Sequence, residues 1–177
     1  MSSNVYLAEC DVGRGVFARQ PIAAGEIILT FTGPFLNYEQ ALAKGEAQAN
    51  TLQIDQDRYI DIDPPGLFTN HSCEPNAGVI DDCILVALRD IEQDEEVRFD
   101  YSTTMSESNW TMVCRCGSHQ CRGLIEDFHL LPELLKVRYL ALGIVQRFIV
   151  AEHSERSQNL QQPQAWRYGY SVRPEVA

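Results

Sequence analysis

The densest polar chemistry in the chain lies in one turn-forming run, Asn70-His71-Ser72-Cys73-Glu74-Pro75-Asn76. This run offers an amide, an imidazole, a hydroxyl, a thiol and a carboxylate. A second cluster follows, in which Cys114, Cys116 and Cys121 are spaced Cys-x-Cys-x4-Cys. Three thiols this close together, with Gly117 between them, are typical of a loop folded around a metal ion, and zinc suits sulfur ligands best.

A tetrahedral zinc site requires a fourth ligand, and the candidates are Cys73, His119, Cys83 and Cys10. We favour Cys73 because its neighbours already form an irregular loop. Four thiolates would make a closed, structural site without an open coordination position for water. Cys10 and Cys83 lie in apolar or strand-like contexts, which predicts buried, inert thiols at both positions.

Two further features are candidates for a binding site. Gly13-Arg14-Gly15 would let a ligand approach the backbone closely, but it is neither a dinucleotide fingerprint nor a phosphate loop. A plain β-turn is the alternative interpretation of these glycines. Tyr101 follows the predicted strand Glu96–Phe99, which can direct its hydroxyl into a pocket; a core or interface position is the alternative.

The chain from Val5 to Tyr101 is predicted to be mainly β, because short β-branched and aromatic runs alternate with turn signals. Residues 18–26 and 87–95 share one pattern, which we interpret as a local turn used twice and not as a stacked repeat. The predicted strands are Gly15–Ala18, Ile27–Phe31, Thr51–Ile54, Tyr59–Ile62, Gly78–Ile80, Cys83–Leu88 and Glu96–Phe99.

Helical patterns are confined to two regions. Tyr38–Asn50 is rich in Ala, Glu and Gln and predicts a surface helix, although Gly45 weakens its continuity. Apolar spacing over Leu130–Val150 predicts a C-terminal helix. The polar segment Glu152–Gln164 is expected to be solvated or disordered. Three aromatic residues near the end are expected to dock on the domain or on a partner: Trp166, Tyr168 and Tyr170.

The composition restricts the choice of partners and location. The chain has 177 residues and a formal net charge of −11, which disfavours nucleic acid and favours a basic protein or peptide, although simple solubility also explains the charge. No apolar run is long enough to cross a membrane, and no signal peptide is evident. We therefore expect an intracellular protein, cytoplasmic or nuclear, of unknown oligomeric state.

Four ordered motifs resemble the SET-domain family of protein lysine methyltransferases. They are Gly-Arg-Gly-Val-Phe-Ala, Asn-His-Ser-Cys-Glu-Pro-Asn, Glu-Glu-Val-Arg-Phe-Asp-Tyr, and post-SET cysteines ending in Cys-Arg-Gly. The resemblance covers about Tyr6 to Leu124. It implies a mainly β (α+β) fold of small sheets, with a knot-like passage near Tyr101, a post-SET zinc loop and a C-terminal helix. The implied parts are a SET domain at 4–103, a post-SET segment at 110–126, a helical extension at 127–151 and a polar tail at 152–177.

The resemblance also implies an activity and the residues for it. The chain would transfer methyl groups from S-adenosylmethionine to a lysine side chain, with zinc in a structural role. Tyr101 would be the catalytic tyrosine, with Phe99 and His71 beside it. Cys73 would join Cys114, Cys116 and Cys121 on the zinc ion. The implied cofactor-binding residues are Gly13, Arg14, Gly15, Phe17, Asn70, His71, Tyr101 and Leu124.

The sequence departs from the family pattern at several positions. Phe31 stands where many relatives have Tyr, Pro34 where many have an acid, and Leu67 where many have Arg. Phe99 rather than Tyr implies room for two or three methyl groups on the product. Two alternatives stay open: an inactive SET-like module that binds a basic peptide, and a zinc hydrolase, which would need a metal site with three protein ligands.

Overall fold

The structure, a computed structural model, describes residues 4–108 and 110–161. This part of the chain is built mainly from short strands. In chain order the strands are β1 (Val5–Cys10), β2 (Gly13–Ala18), β3 (Ile27–Thr30), β4 (Phe35–Leu36), β5 (Thr51–Asp55), β6 (Arg58–Asp61), β7 (Asn70–His71), β8 (Ala77–Ile80), β9 (Ile84–Ala87), β10 (Glu96–Phe99), β11 (Met112–Val113) and β12 (Leu124–Ile125). The helices are α1 (Tyr38–Leu42), α2 (Glu133–Leu142) and α3 (Arg147–Gln161).

The strands form small sheets, as the sequence predicts. Their orders are β1-β2-β10-β7, β3-β9-β8, β4-β6-β5 and β11-β12. All pairs are antiparallel except β10 with β7, which run parallel and align Phe99 with His71. Each predicted strand is present with its ends within two residues, whereas the two-residue strands β4, β7, β11 and β12 have too little sequence pattern to be predicted. The mainly β fold class is confirmed.

The main core is built from residues of the first three of these sheets. Val16 on β2, Val97 on β10 and Leu85 on β9 are fully buried, since alternate residues of each strand face the same side. Ile22 and Ile91 join this core from the turns. Apolar burial of this kind fixes the register of the strands that carry the candidate site, because a shift of one residue would expose the buried faces.

The two similar turn segments, residues 18–26 and 87–95, pair with each other. Ile22 and Ile91 exchange both backbone hydrogen bonds at 2.9 Å. The flanking backbone bonds repeat the exchange symmetrically, from Ala18 N to Glu95 O, Ala87 N to Glu26 O, Asp94 N to Ala18 O and Gly25 N to Ala87 O. The repeated pattern is therefore a pair of interlocking turns, which we call the turn clasp.

The predicted surface helix over Tyr38–Asn50 is split in two. The α1 helix begins with a capping box between Asn37 and Gln40 and ends at Leu42. Gly45 has a φ of 60°, which an α-helix cannot contain, and the segment Gly45–Asn50 continues as a 3-10 helix. The prediction of one continuous helix is therefore wrong.

The predicted helix over Leu130–Val150 is likewise two helices. Gly143, with a φ of 67°, ends α2 in the left-handed conformation, and α3 begins after a short buried connection. The α3 helix extends to Gln161, so the described part of the polar segment from Glu152 is a solvated helix and not a disordered segment. Among the described residues, no helix has the length and apolar character to span a membrane. The three C-terminal aromatic residues lie outside the described residues.

Candidate functional site

Tyr101 lines two separate cavities, and this shared wall defines the candidate site. The first, which we call the narrow cavity, has a volume of about 60 Å³ and is lined by residues that include Phe31, Tyr59, Phe99 and Glu107. The second, which we call the wide cleft, has a volume of about 550 Å³ and is lined by residues that include Val12, Asn70, His71 and Val113. The residues that line both are Ala49, Leu67, Tyr101 and Trp110.

The position of Tyr101 is set by the end of β10. The side chain of Asp100 accepts a hydrogen bond from the Ser102 N–H and caps the 3-10 helix Tyr101–Thr104. The Tyr101 hydroxyl donates to the backbone oxygen of Thr69 at 2.9 Å, and its ring lies 4.9 Å from that of Phe99. Burial raises the pKa of Tyr101 well above its usual value, so the hydroxyl is neutral at physiological pH.

Asn70 connects three strands beside the wide cleft. Its side-chain amide donates to the Arg14 backbone oxygen at 2.9 Å and to Glu96 Oε1 at 2.8 Å. The Cys10 sulfur lies 3.4 Å from the same nitrogen. Asn70 thus joins β2 and β10 to its own strand β7, which keeps this edge of the cleft in a fixed geometry.

Gly15 of the Gly13-Arg14-Gly15 run has a packing role in this structure, whereas Gly13 has a φ of 115° and no neighbour within 4 Å of a Cβ position. A Cβ atom on Gly15 would lie 2.5 Å from Glu96 Oε1, so glycine is what allows that carboxylate to reach Asn70. The Arg14 guanidinium lies 4.0 Å over the Phe68 ring. Phe17 packs its ring against Tyr6, 5.8 Å away.

The residues that line the wide cleft are not all the same as the cofactor-binding residues that the family resemblance implies. The differences lie in the turn before Gly13 and in the strands β11 and β12. Asp11 and Val12, in the turn before the glycines, line the cleft, whereas Gly13, Gly15 and Phe17 do not. Leu124 also does not line it. Its strand partner Val113 and its neighbour Ile125 do. The segments that carry the predicted residues border the cleft, and Gly13, Gly15, Phe17 and Leu124 stay predictions as cofactor-binding residues.

Four ligand atoms gather within 4.8 Å of one another, from His71, Cys73, Cys114 and Cys116. The sulfurs of Cys73 and Cys114 are 3.7 Å apart. Sulfur and imidazole donors at this spacing could hold a metal ion, and their chemistry fits zinc. The predicted zinc ligands include Cys121 and not His71. The contacts of His71 and of Cys121 account for this difference.

His71 uses both ring nitrogens for hydrogen bonds. Its Nδ1 accepts from the Tyr101 backbone N–H at 3.2 Å, so in the neutral ring the proton is on Nε2. That nitrogen lies 3.3 Å from the Cys73 sulfur and therefore donates to it. Burial lowers the pKa of His71 to about 4, which keeps the ring neutral. The ring offers a proton to Cys73 and not a free lone pair to a metal.

Cys121 is exposed but lies beside the other sulfurs. Burial acts to raise the pKa of Cys116, but hydrogen bonds from the Cys73 and Ser118 backbone and from the Cys114 and Cys121 thiols lower it to about 7. Cys121 stays the predicted fourth ligand, and His71 is a hydrogen-bond donor to the cluster. Within the described residues, His119, Cys10 and Cys83 are not part of the four-residue group.

A buried ion pair that no sequence pattern predicts connects the candidate site to α2. The Asp100 carboxylate is fully buried and accepts two hydrogen bonds from the Arg122 guanidinium, at 2.6 and 2.8 Å. The Tyr139 hydroxyl donates to the same carboxylate at 2.8 Å. The Arg122 backbone N–H reaches the Cys73 sulfur at 3.4 Å. Through these contacts the Asp100 carboxylate, directly before Tyr101, is connected to the cysteine cluster by Arg122 and to α2 by Tyr139.

The fold and the site define a class: a β-rich protein in which a tyrosine separates a narrow cavity from a wide cleft, next to a cysteine cluster. Residues 13–102, half of the chain, match the family model of the SET domain. The chain therefore belongs to the SET-domain family.

Curated relatives point in the same direction. The chain is 33% identical over 131 residues to the histone-lysine N-methyltransferase ash1 of Drosophila melanogaster. This alignment covers 65% of this chain and 6% of the relative. It is 31% identical over 129 residues to an H3 lysine-4 specific histone-lysine N-methyltransferase of Aspergillus oryzae, 63% of this chain and 10% of that protein. It is 31% identical over 130 residues to the human histone-lysine N-methyltransferase SETD1B, 63% of this chain and 6% of that protein.

Proposed function

We propose that this chain is a protein-lysine N-methyltransferase that uses S-adenosylmethionine. The observation that carries the proposal is the position of Tyr101, which lines both the narrow cavity and the wide cleft. A methyl donor in one and a lysine amine in the other would meet at this tyrosine. Membership of the SET-domain family and the names of the curated relatives support the same reaction.

The wide cleft fits the donor in size and chemistry. S-adenosylmethionine supplies an activated methyl group on its sulfonium. Val12 and Val113 line the cleft and are 50% and 65% exposed, and they form an apolar wall suited to an adenine ring. Asn70 and His71 add polar groups to the lining of the cleft. We assign donor binding to these residues, with the backbone of Gly13–Phe17 as the support of the adjacent turn.

The narrow cavity suits the aliphatic part of a lysine side chain, because Phe31, Phe99 and Leu67 line it. The Thr69 backbone oxygen and the Tyr101 hydroxyl oxygen are polar atoms beside it. Oxygen dipoles stabilise the partial positive charge of a methyl group in transfer, and catalysis then depends mainly on alignment. The lysine loses its proton to water before the transfer.

We propose zinc as the metal of the cysteine cluster, held by Cys73, Cys114, Cys116 and Cys121. Its role is structural, since four thiolates leave no open position. The net charge of −11 supports a basic protein substrate, with histones suggested by the relatives' names, and it argues against a nucleic-acid partner. An intracellular location, cytoplasmic or nuclear, is consistent with such a substrate.

Tyr101→Phe tests the activity directly. We expect methyl transfer to fall at least about 100-fold, because the hydroxyl oxygen beside the reacting atoms is lost. The assay measures isotope transfer from labelled S-adenosylmethionine to protein in a lysate of the source organism, and calorimetry measures donor binding. Donor affinity should be retained in the variant. A parent protein that binds the donor and labels nothing, or binds no donor, would favour the inactive peptide-binding module.

Phe99→Tyr tests the number of methyl groups that are added. Phe99 is 5% exposed and packs against Phe31 and Tyr101 at the wall of the narrow cavity. We expect the parent to form di- or trimethyl-lysine and the variant to stop earlier, because an added hydroxyl fills space and restrains the amine. Mass spectrometry of the product ladder measures this. A parent ladder that ends at one methyl group contradicts the assignment.

A further inference from the structure

We propose that the C-terminal segment, residues 162–177, binds back onto an exposed apolar stripe on α2. The stripe, which we call the outer stripe, consists of Leu134, Val137 and Ala141, whose spacing of i, i+3 and i+7 places them on one face of the helix. These residues line neither the narrow cavity nor the wide cleft, so the inference goes beyond the proposed function. Residues 162–177 lie outside the described part of the chain, and their amino-acid sequence is what fits the stripe.

The α2 helix is apolar on two opposite faces. Its inner face packs into a second core through the fully buried Tyr139, with Leu135 and Leu140 beside it. On the outer stripe Leu134 is 87% exposed and Val137 is 61% exposed. A surface helix ordinarily carries polar residues on the side away from the core, and a helix that is apolar all round is normally buried. The outer stripe is therefore a surface that a further apolar group should cover.

The size of the outer stripe argues against a second copy of the chain or a separate protein as this group. A stable interface between two proteins takes roughly 20–30 residues from each side. The outer stripe has three residues, and Leu130, which is 55% exposed just before α2, adds one more. A segment of the same chain needs less contact, because its connection gives it an effective concentration on the order of millimolar. A connected segment therefore suits this stripe better than a free partner.

The C-terminal segment begins within reach of the outer stripe. The α3 helix passes the residues just before α2, where the ring of His153 lies 5.8 Å from the ring of Phe128. From His153 to the end of α3 at Gln161 the distance along the helix axis is about 12 Å, and α2 is about 15 Å long. Residues 162–177 can extend to about 50 Å. The segment is thus long enough to return from the end of α3 and to run along all of α2.

The sequence of the C-terminal segment fits an apolar stripe. Pro163 follows α3 closely, and proline disfavours continuation of a helix. In an extended chain alternate side chains face the same side, so three aromatic rings of this segment would meet the stripe together. They are Trp166, Tyr168 and Tyr170. The charged residues of the segment are two arginines and one glutamate, a positive excess in a chain whose formal net charge is −11, which also favours its return to the domain.

Quenching of Trp166 fluorescence by acrylamide tests the contact in the full chain. The chain has two tryptophans, so the emission of Trp166 is the difference between each protein and the same protein with Trp166→Phe. A synthetic peptide of residues 162–177 gives the fully accessible reference. We expect Trp166 of the parent to be shielded relative to the peptide, equally at every protein concentration. Leu134→Glu should weaken the docking equilibrium at least about tenfold, because it puts a charge into the apolar contact, and the quenching should approach that of the peptide.

Two control variants separate this contact from a general change in the fold. Ala151→Glu adds the same charge to the exposed surface of α3 and should leave Trp166 shielded. The double variant Tyr168→Ser with Tyr170→Ser leaves α2 unchanged and should make Trp166 accessible. The inference is overturned if Trp166 of the parent is as accessible as in the peptide, or if its shielding disappears on dilution, as a contact between two copies would.

The inference is equally overturned if Leu134→Glu or the double tyrosine variant keeps the parental shielding, or if Ala151→Glu removes it as fully as Leu134→Glu does. Circular dichroism of each variant shows whether its helices are retained. The double tyrosine variant decides the question if Leu134→Glu loses its fold, because it changes only the C-terminal segment. Neither methyl donor nor substrate is present, so the result does not depend on the proposed activity.

Discussion

Arg122→Met is expected to lower the free energy of unfolding by about 3–5 kcal/mol, because it leaves a buried carboxylate without its cation. Asp100 is fully buried, and Arg122 supplies two of its hydrogen bonds. A loss of this size is a large part of the ordinary stability of a domain. Urea unfolding of the metal-loaded protein, followed by circular dichroism, measures the change.

The double variant Arg122→Met with Asp100→Asn is the decisive control. It removes the unpaired charge and should recover part of the stability that the single Arg122→Met variant loses. Tyr139→Phe removes one hydrogen bond to the same carboxylate and should cost about 1–2 kcal/mol. If the double variant is as unstable as the sum of its two single variants, the carboxylate and the guanidinium act independently and the account is wrong.

Cys116→Ser is expected to weaken binding of S-adenosylmethionine at least about tenfold and to lower methyl transfer with it. The cysteine cluster and the wide cleft share contacts. The Arg98 guanidinium donates to the Cys116 backbone oxygen at 3.0 Å and also binds Glu96. Glu96 in turn accepts from Asn70 at the cleft. Loss of the metal should therefore disturb the donor site through this chain of contacts.

Calorimetry of donor binding and elemental analysis of zinc content measure this effect. Cys83→Ser is the matched control, since Cys83 is a half-buried cysteine that packs against the main core outside the cluster. It should keep both zinc and donor affinity. A Cys116→Ser protein that has lost its zinc but retains parental donor affinity and activity would contradict the coupling.

Strands with an alternating apolar pattern were predictable from the sequence, whereas the breaks in the two predicted helices were not. The strand pattern predicts β2, β3, β9 and β10 because alternating apolar residues report which face is buried. Gly45 and Gly143 each divide a predicted helix, since both take a positive φ that a helical spacing pattern cannot reveal. The knot-like passage near Tyr101 stays a prediction of the family resemblance.

The site was predictable at the level of segments. The motifs around Asn70 and Tyr101 indicate residues that do line the wide cleft, and of the clustered cysteines Cys114 and Cys116 do lie beside Cys73. The sequence does not reveal that Val113 and not Leu124 faces the cleft, because a two-residue strand carries no periodicity. The place of Glu107 in the wall of the narrow cavity was also missed, because that cavity is formed by segments distant in sequence.

The turn clasp has a consequence for the order in which the protein folds. Its two halves, residues 18–26 and 87–95, can pair only after the chain between them has emerged from the ribosome. Until then β2 lacks its neighbour β10 and β3 lacks its neighbour β9, so two strand edges stay unpaired. Contacts between residues distant in sequence slow folding, and open edges invite aggregation. Early synthesis is therefore the stage at which this chain would benefit most from a chaperone.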